Sequence, residues 1–111
     1  MKTINVDGVI YSEVSEVTKN YVIVRGDRSG VFAGNLKNES GREVTLTNVR
    51  RIWYWKGAAS LSQLAMEGVT QPKECKFPCI VTEIRIKDAI EVIPCTTQAE
   101  KSIKSVPVWE S

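Results

Sequence analysis

The chain contains no histidine. That absence removes the commonest general base and with it every Ser–His or Cys–His nucleophilic pair, which makes enzymatic hydrolysis a minor reading. Cysteine is scarce, with Cys75, Cys79 and Cys95 only. Lacking histidine and a fourth thiolate, they cannot close a tetrahedral zinc site, so neither a metal nor a cofactor is expected. Their odd number, and an opening MKTINVDGVIYSEV with acidic residues where a signal peptide needs an apolar core, read as reduced thiols in a cytosolic protein. No apolar run approaches the roughly 18 residues of a membrane-spanning helix, so no membrane partner is expected. Excess charge is missing too: a formal net charge of +2 is too mild for the basic footprint of a nucleic-acid protein. Any cationic site has to be local.

What is present suits one small domain over residues 1–111, large enough for a core yet small enough to gain from association. Ile4 to Val14 is rich in β-branched residues around Asp7-Gly8 and reads as two short strands joined by a turn, or one bulged strand. Tyr21 to Val24 and Val31 to Gly34 flank a glycine-bounded tip, Gly26 to Gly30, and predict a hairpin. A turn at Asn38 to Gly41 leads into a long strand from Arg42 to Trp55. Its apolar phase changes at Asn48, the signature of a bulge. Ser60 with Gln63 forms a capping box for a short helix that stops at Gly68. Ile80 to Lys87 alternates as a half-buried strand, Ile90 to Ile93 is a last strand ended by Pro94, and Thr97 with Glu100 opens a second helix with an Ala99, Ile103, Val106 stripe. The expected fold is therefore α+β, mainly antiparallel β-sheet with two short α-helices.

Chemistry concentrates in two places. Val49 to Leu64 joins Arg50 and Arg51 to the aromatic block Trp53-Tyr54-Trp55 and a capped helix; guanidiniums fork onto phosphates and aromatics stack on bases or fill cores. The phase shift at Asn48 favours a packing and assembly role here, with Trp53 and Trp55 in the core or a subunit interface and one arginine of the pair facing a ligand or partner. The hairpin tip carries Arg25 and Arg28. Its glycines would let successive N–H groups form an anion-binding concavity over which these arginines close; the plainer reading is a solvated turn.

VRGDRSGVFAG at 24–34, RRIWYW at 50–55 with GAASLSQL at 57–64, Cys75-Lys76-Phe77 and Ile93-Pro94 together resemble a family of small phage proteins. These inhibit the bacterial Thoeris defence system by acting as signal sponges, and the likeness spans residues 8–109. The resemblance implies tight binding of cyclic ADP-ribose isomers made by TIR-domain enzymes, such as glycocyclic ADP-ribose, without cleavage, in the cytoplasm of the infected bacterial host. It also implies a homo-oligomer of dimers assembled into a hexamer and, in some members, a second site for cyclic oligonucleotides. By this likeness Arg28, in the hairpin motif, contacts phosphate and Phe77, in the Cys-Lys-Phe motif, stacks on adenine. Lys87 and Lys104 fall near the remaining pocket positions without matching a motif. Arg51 and Arg85, on cationic strand positions, are the candidates for the second site. Two rival readings are a single-stranded nucleic-acid binder, since basic and aromatic strand faces also make stacking platforms, and a phage structural or assembly protein.

The Val106-Pro107-Val108-Trp109 tail is too apolar to hang free and is expected to dock on its own domain or on a neighbouring subunit. Deleting Val106 to Ser111 should lower the melting temperature or change the oligomeric state; a chain unaltered in both would remove that role.

Overall fold

A computed structural model of the chain describes residues 4–6, 9–11 and 17–110. Strands β1 (Ile4–Val6) and β2 (Val9–Tyr11) pair antiparallel as a separate two-stranded sheet; the expected turn at Asp7-Gly8 lies outside the described residues. The main sheet contains β3 (Val17–Gly26), β4 (Val31–Ser40), β5 (Glu43–Arg51), β6 (Val81–Ile86) and β7 (Ala89–Thr96) in the order β6-β5-β4-β3-β7, all antiparallel. Helices α1 (Leu61–Glu67) and α2 (Thr97–Ser105) complete an α+β architecture dominated by sheet.

The connectivity forces the sheet to roll. Strands β6 and β7 are its two edges, yet only Lys87 and Asp88 join them. Four strand spacings would separate the edges of a flat sheet by about 19 Å. The chain from Ile86 to Ala89 reaches at most about 11 Å. The sheet curls instead, and Asp88 O accepts from Asp27 N at 2.8 Å while Ala89 N donates to Arg42 O at 3.0 Å. The interior of the roll is filled from all five strands by Val22, Val24, Phe32, Val44, Leu46, Val49, Ile86 and Ala89.

A second core lies outside the roll, where Tyr21, Ile23, Ala33 and Cys95 meet Leu64 and Ala65 of α1 and Ala99 and Ile103 of α2. This explains the unbroken apolar run in β3: alternate side chains serve different cores, so all four of Tyr21 to Val24 are buried. Burial pushes the Cys95 thiol up to about 12, which leaves it protonated and inert at neutral pH.

The bulge expected at Asn48 is present. Asn48 has a φ of +47°, a region asparagine tolerates better than most residues, and the β4–β5 register slips there, with Asn35 opposite Thr47 but Ala33 opposite Arg50. Gly34 faces the bulge, and a Cβ on it would come within 2.9 Å of Val49 Cβ. The extra residue returns Val49 to the interior already occupied by Val44 and Leu46, rather than to the opposite face.

Several expected boundaries move. β5 stops at Arg51 rather than Trp55, and Trp53 is 65 % exposed, so it is no core residue; Trp55 does pack against the helical core. β7 runs through Pro94 to Thr96 because an edge strand tolerates a missing N–H. Thr96, not Thr97, caps α2, with its Oγ1 accepting from Ala99 N at 3.0 Å. The C-terminal tail docks on its own domain, where Val108 bridges Phe77 and Trp109 N donates to Phe77 O at 2.9 Å.

Arg50 is 2 % exposed and makes no ion pair among the described residues. Its guanidinium donates to Ile103 O (3.0 Å) and Val106 O (2.8 Å) at the end of α2, and to Phe77 O (3.1 Å) and Pro78 O (3.3 Å). Burial lowers its pKa, with Tyr21 and Cys79 opposing that shift. The residue therefore faces neither ligand nor solvent; it staples the sheet, the 77–78 segment and the helix together. Arg50→Met should lower stability by about 3 kcal/mol, because it strands buried carbonyls, and Arg50→Lys should recover only part of that in denaturant titration.

Candidate functional site

The hairpin tip is closed by Gly26 N donating to Gly30 O at 2.8 Å, and Gly30 supplies a φ of +111°. This turn points the N–H groups of Arg28 and Ser29 to one side, the concavity the sequence suggests. Its occupant is internal. Asp88 Oδ2 accepts from Arg28 N at 2.8 Å and Ser29 N at 3.0 Å, and Asp88 Oδ1 accepts from Ser29 Oγ at 2.5 Å. The two-residue β6–β7 connection lies over the tip and delivers this carboxylate. The Ser29 hydroxyl, and after it the Arg28 amide, hold the Asp88 pKa below the usual carboxylate value. The tip amides are thus already engaged.

Beside this junction opens a cleft of about 400 Å³. Phe32, Ile84 and Ile86 give it an apolar floor, while Arg28 from the tip, Arg51 from the end of β5, and Arg85 and Lys87 from β6 and its exit make a cationic rim. Arg51 is partly committed: its Nη1 donates to Ser29 O at 2.6 Å and its guanidinium carbon sits 4.5 Å from the Phe32 ring centroid. No hydrogen bond or ion pair engages the side-chain cations of Arg28, Arg85 or Lys87 among the described residues. Four positive side chains against one hydrogen-bonded carboxylate make a place for an anion.

The remaining candidates lie elsewhere. Arg25 pairs with Glu91, Nε to Oε1 at 3.0 Å, away from the cleft lining. Lys104 pairs with Glu100 one turn back on α2 and sits 5.2 Å from the Tyr21 ring centroid. Phe77 has no exposed surface; the Arg50 guanidinium lies 5.3 Å from its ring centroid, and it fills the helical core. Its apolar ring packs where the sequence likeness suggests stacking on adenine. Arg28 and Lys87, assigned to one ligand, and Arg51 and Arg85, assigned to a second, share a single cleft.

Sequence reasoning missed Asp88, Ser29 and the floor residues Phe32 and Ile84. The only signal for Asp88 was an acidic residue in a short strand connection, and nothing local shows that this connection crosses to the far edge of the sheet. Beyond the cleft, exposed Trp53, Tyr54 and Trp109 gather where the 53–54, 76–77 and 108–109 segments hydrogen-bond, with Lys76 Nζ 6.0 Å from the Tyr54 and 5.6 Å from the Trp109 ring centroid.

No helix among the described residues is long and apolar enough to cross a membrane. Residues 19–103 match the model of a domain of unknown function (DUF6948). No curated protein and no solved structure matches.

Because the folded-state Asp88 pKa is depressed, the tip contacts are present above the ordinary aspartate range and are lost as pH falls through the lower folded value. In an NMR pH titration the Arg28 and Ser29 amides should therefore shift together with a midpoint below about 4. A midpoint at or above that value would show that they do not bond the carboxylate.

Proposed function

We propose that this chain, which belongs to the DUF6948 family, captures a small phosphorylated nucleotide in the cleft of Arg28, Arg51, Arg85 and Lys87 by binding alone. The observation that carries this is the convergence of Arg51 and three cations without a partner among the described residues on the one cleft floored by Phe32, Ile84 and Ile86. On a chain of net charge only +2, four cations converging on one cleft make a local anion site. Guanidiniums bind phosphate oxygens in pairs, and the planar Arg51 group is suited to a base face. Binding without cleavage is supported by the lack of histidine and by the state of Asp88, whose three hydrogen bonds and lowered pKa make it a poor base.

The likeness to signal sponges extends the reading to a cyclic ADP-ribose isomer, whose pyrophosphate would meet the cationic rim. In that reading it is sequestered uncleaved, in the infected bacterial host's cytoplasm, by a homo-oligomer of dimers built into a hexamer. Since Arg51 and Arg85 share the cleft with Arg28 and Lys87, a cyclic oligonucleotide would compete for the same place rather than fill a separate one. A second reading has its own observation, the exposed Trp53, Tyr54 and Trp109 around Lys76, which would suit a single strand of nucleic acid.

Calorimetric titration with cyclic ADP-ribose isomers should show binding. Arg28→Ala or Arg85→Ala should each weaken it by about 2 kcal/mol, whereas Arg25→Ala and Lys104→Ala should leave it unchanged. Denaturing the complex should release intact ligand; a cleaved product would replace capture by catalysis. Oligonucleotide binding that falls steeply with salt and disappears in Trp53→Ala would favour the second reading.

A further inference from the structure

Asp88 presents a paradox of sign. A carboxylate beside a cationic cleft should weaken anion binding by simple electrostatics, yet its side chain is the main tie between the two walls of that cleft. One wall is the hairpin tip, which carries Arg28; the other is the end of β6 and its exit, which carry Arg85 and Lys87. Across the gap run the three bonds from Arg28 N, Ser29 N and Ser29 Oγ to the carboxylate, and the backbone bond from Asp27 N to Asp88 O. Ser29 is in turn the residue whose carbonyl holds Arg51 Nη1 at 2.6 Å. One side chain thereby sets three of the four rim cations relative to each other: Arg28 and Arg51 through the tip, and Lys87 as its own chain neighbour.

The chain makes room for this contact. Gly26 approaches the junction so closely that a Cβ on it would collide with Ser29 Oγ and lie 2.8 Å from Asp88 Oδ1. Here glycine admits the close approach of tip and carboxylate. A freely exposed acid would need no such accommodation.

We infer that Asp88 is a positioning residue for the anion site: its carboxylate fills the amide concavity of the tip in place of a ligand, and thereby fixes the spacing of the cations that read the ligand. This rests on the cleft being the anion site. It follows that a bound phosphate is held by side-chain cations alone, with the tip amides reserved for the internal carboxylate, and that the site recognises an anion spread across the cleft rather than one buried in the turn.

Three variants separate positioning from charge. Asp88→Asn is isosteric; its carbonyl oxygen can accept both N–H groups and its amide can donate to Ser29 Oγ, so the tie survives while the charge goes. Asp88→Ala loses both. Gly26→Ala keeps the charge but drives the Ser29 hydroxyl from its place and crowds the carboxylate Oδ1, which disturbs the tie. Calorimetric titration with inorganic pyrophosphate, with melting temperature recorded for each variant, gives the test. Asp88→Ala and Gly26→Ala should lose about tenfold in affinity, because displaced binding groups lose their concerted grip, whereas Asp88→Asn should stay at or above the unsubstituted chain. Equal or tighter binding by a folded Asp88→Ala variant, matching Asp88→Asn, would overturn the inference and leave the carboxylate as a mere competitor. Failure of the unsubstituted chain itself to bind pyrophosphate would instead remove the anion site, and this role with it.

Discussion

A buried guanidinium without a carboxylate partner constrains the rest of the molecule. Arg50 lies next to the end of β5, just past the bulge, and its donors are met by carbonyls from two distant segments, 77–78 and the end of α2. Taking such a charge out of water is tolerable only if nearly every donor finds an oxygen, and the end of a helix is a natural source because its last carbonyls lack partners. The end of β5, the 77–78 segment and α2 are consequently mutually dependent. None can shift without leaving a charge or several carbonyls unsatisfied in the core.

Much of the fold was legible because local chemistry and global packing agree. The β3–β4 hairpin showed in its glycine-flanked tip, the bulge in the apolar phase change at an asparagine, and both helices in their caps. The errors occurred where a residue's role depends on a remote partner. Nothing near Arg50 marks it as buried rather than ligand-facing, and nothing near Phe77 shows that this arginine covers its ring. Pro94 locally signals a stop, but whether proline ends a strand depends on whether the strand lies at an edge. The site was half legible for the same reason: Arg28, Arg51, Arg85 and Lys87 stood out by charge, but only the rolled sheet shows that they share one cleft and that Arg25 and Lys104 have acidic partners elsewhere.

The electrostatics follow one rule. Arg25, Lys37 and Lys104 are neutralised in exposed pairs that contribute little to stability, Arg50 is held by carbonyls, and Arg28, Arg51, Arg85 and Lys87 are collected beside the seam where the sheet closes. The anion-binding potential of the tip is taken up internally by Asp88, which ties the turn to the β6–β7 connection. Architecture and chemistry meet at Lys87-Asp88, two residues that both close the sheet and shape the cleft.

The pairing of β3 with β7 also dictates when the domain can form. Arg25 and Glu91 lie opposite each other in the ladder yet 66 residues apart along the chain, so the first strand of the main sheet receives one of its two neighbours only after β4, β5, α1 and β6 have been made. Until then β3 keeps an open edge, and Tyr21 and Ile23 have α1 to pack against but not yet α2, which follows β7. Such long-range closure slows folding and lengthens exposure to wrong pairings. The seam beside the cleft therefore closes only after β7 has been made, and a ribosome-bound fragment ending before β7 would carry the cations without the β3–β7 pairing that fixes the tip against Asp88.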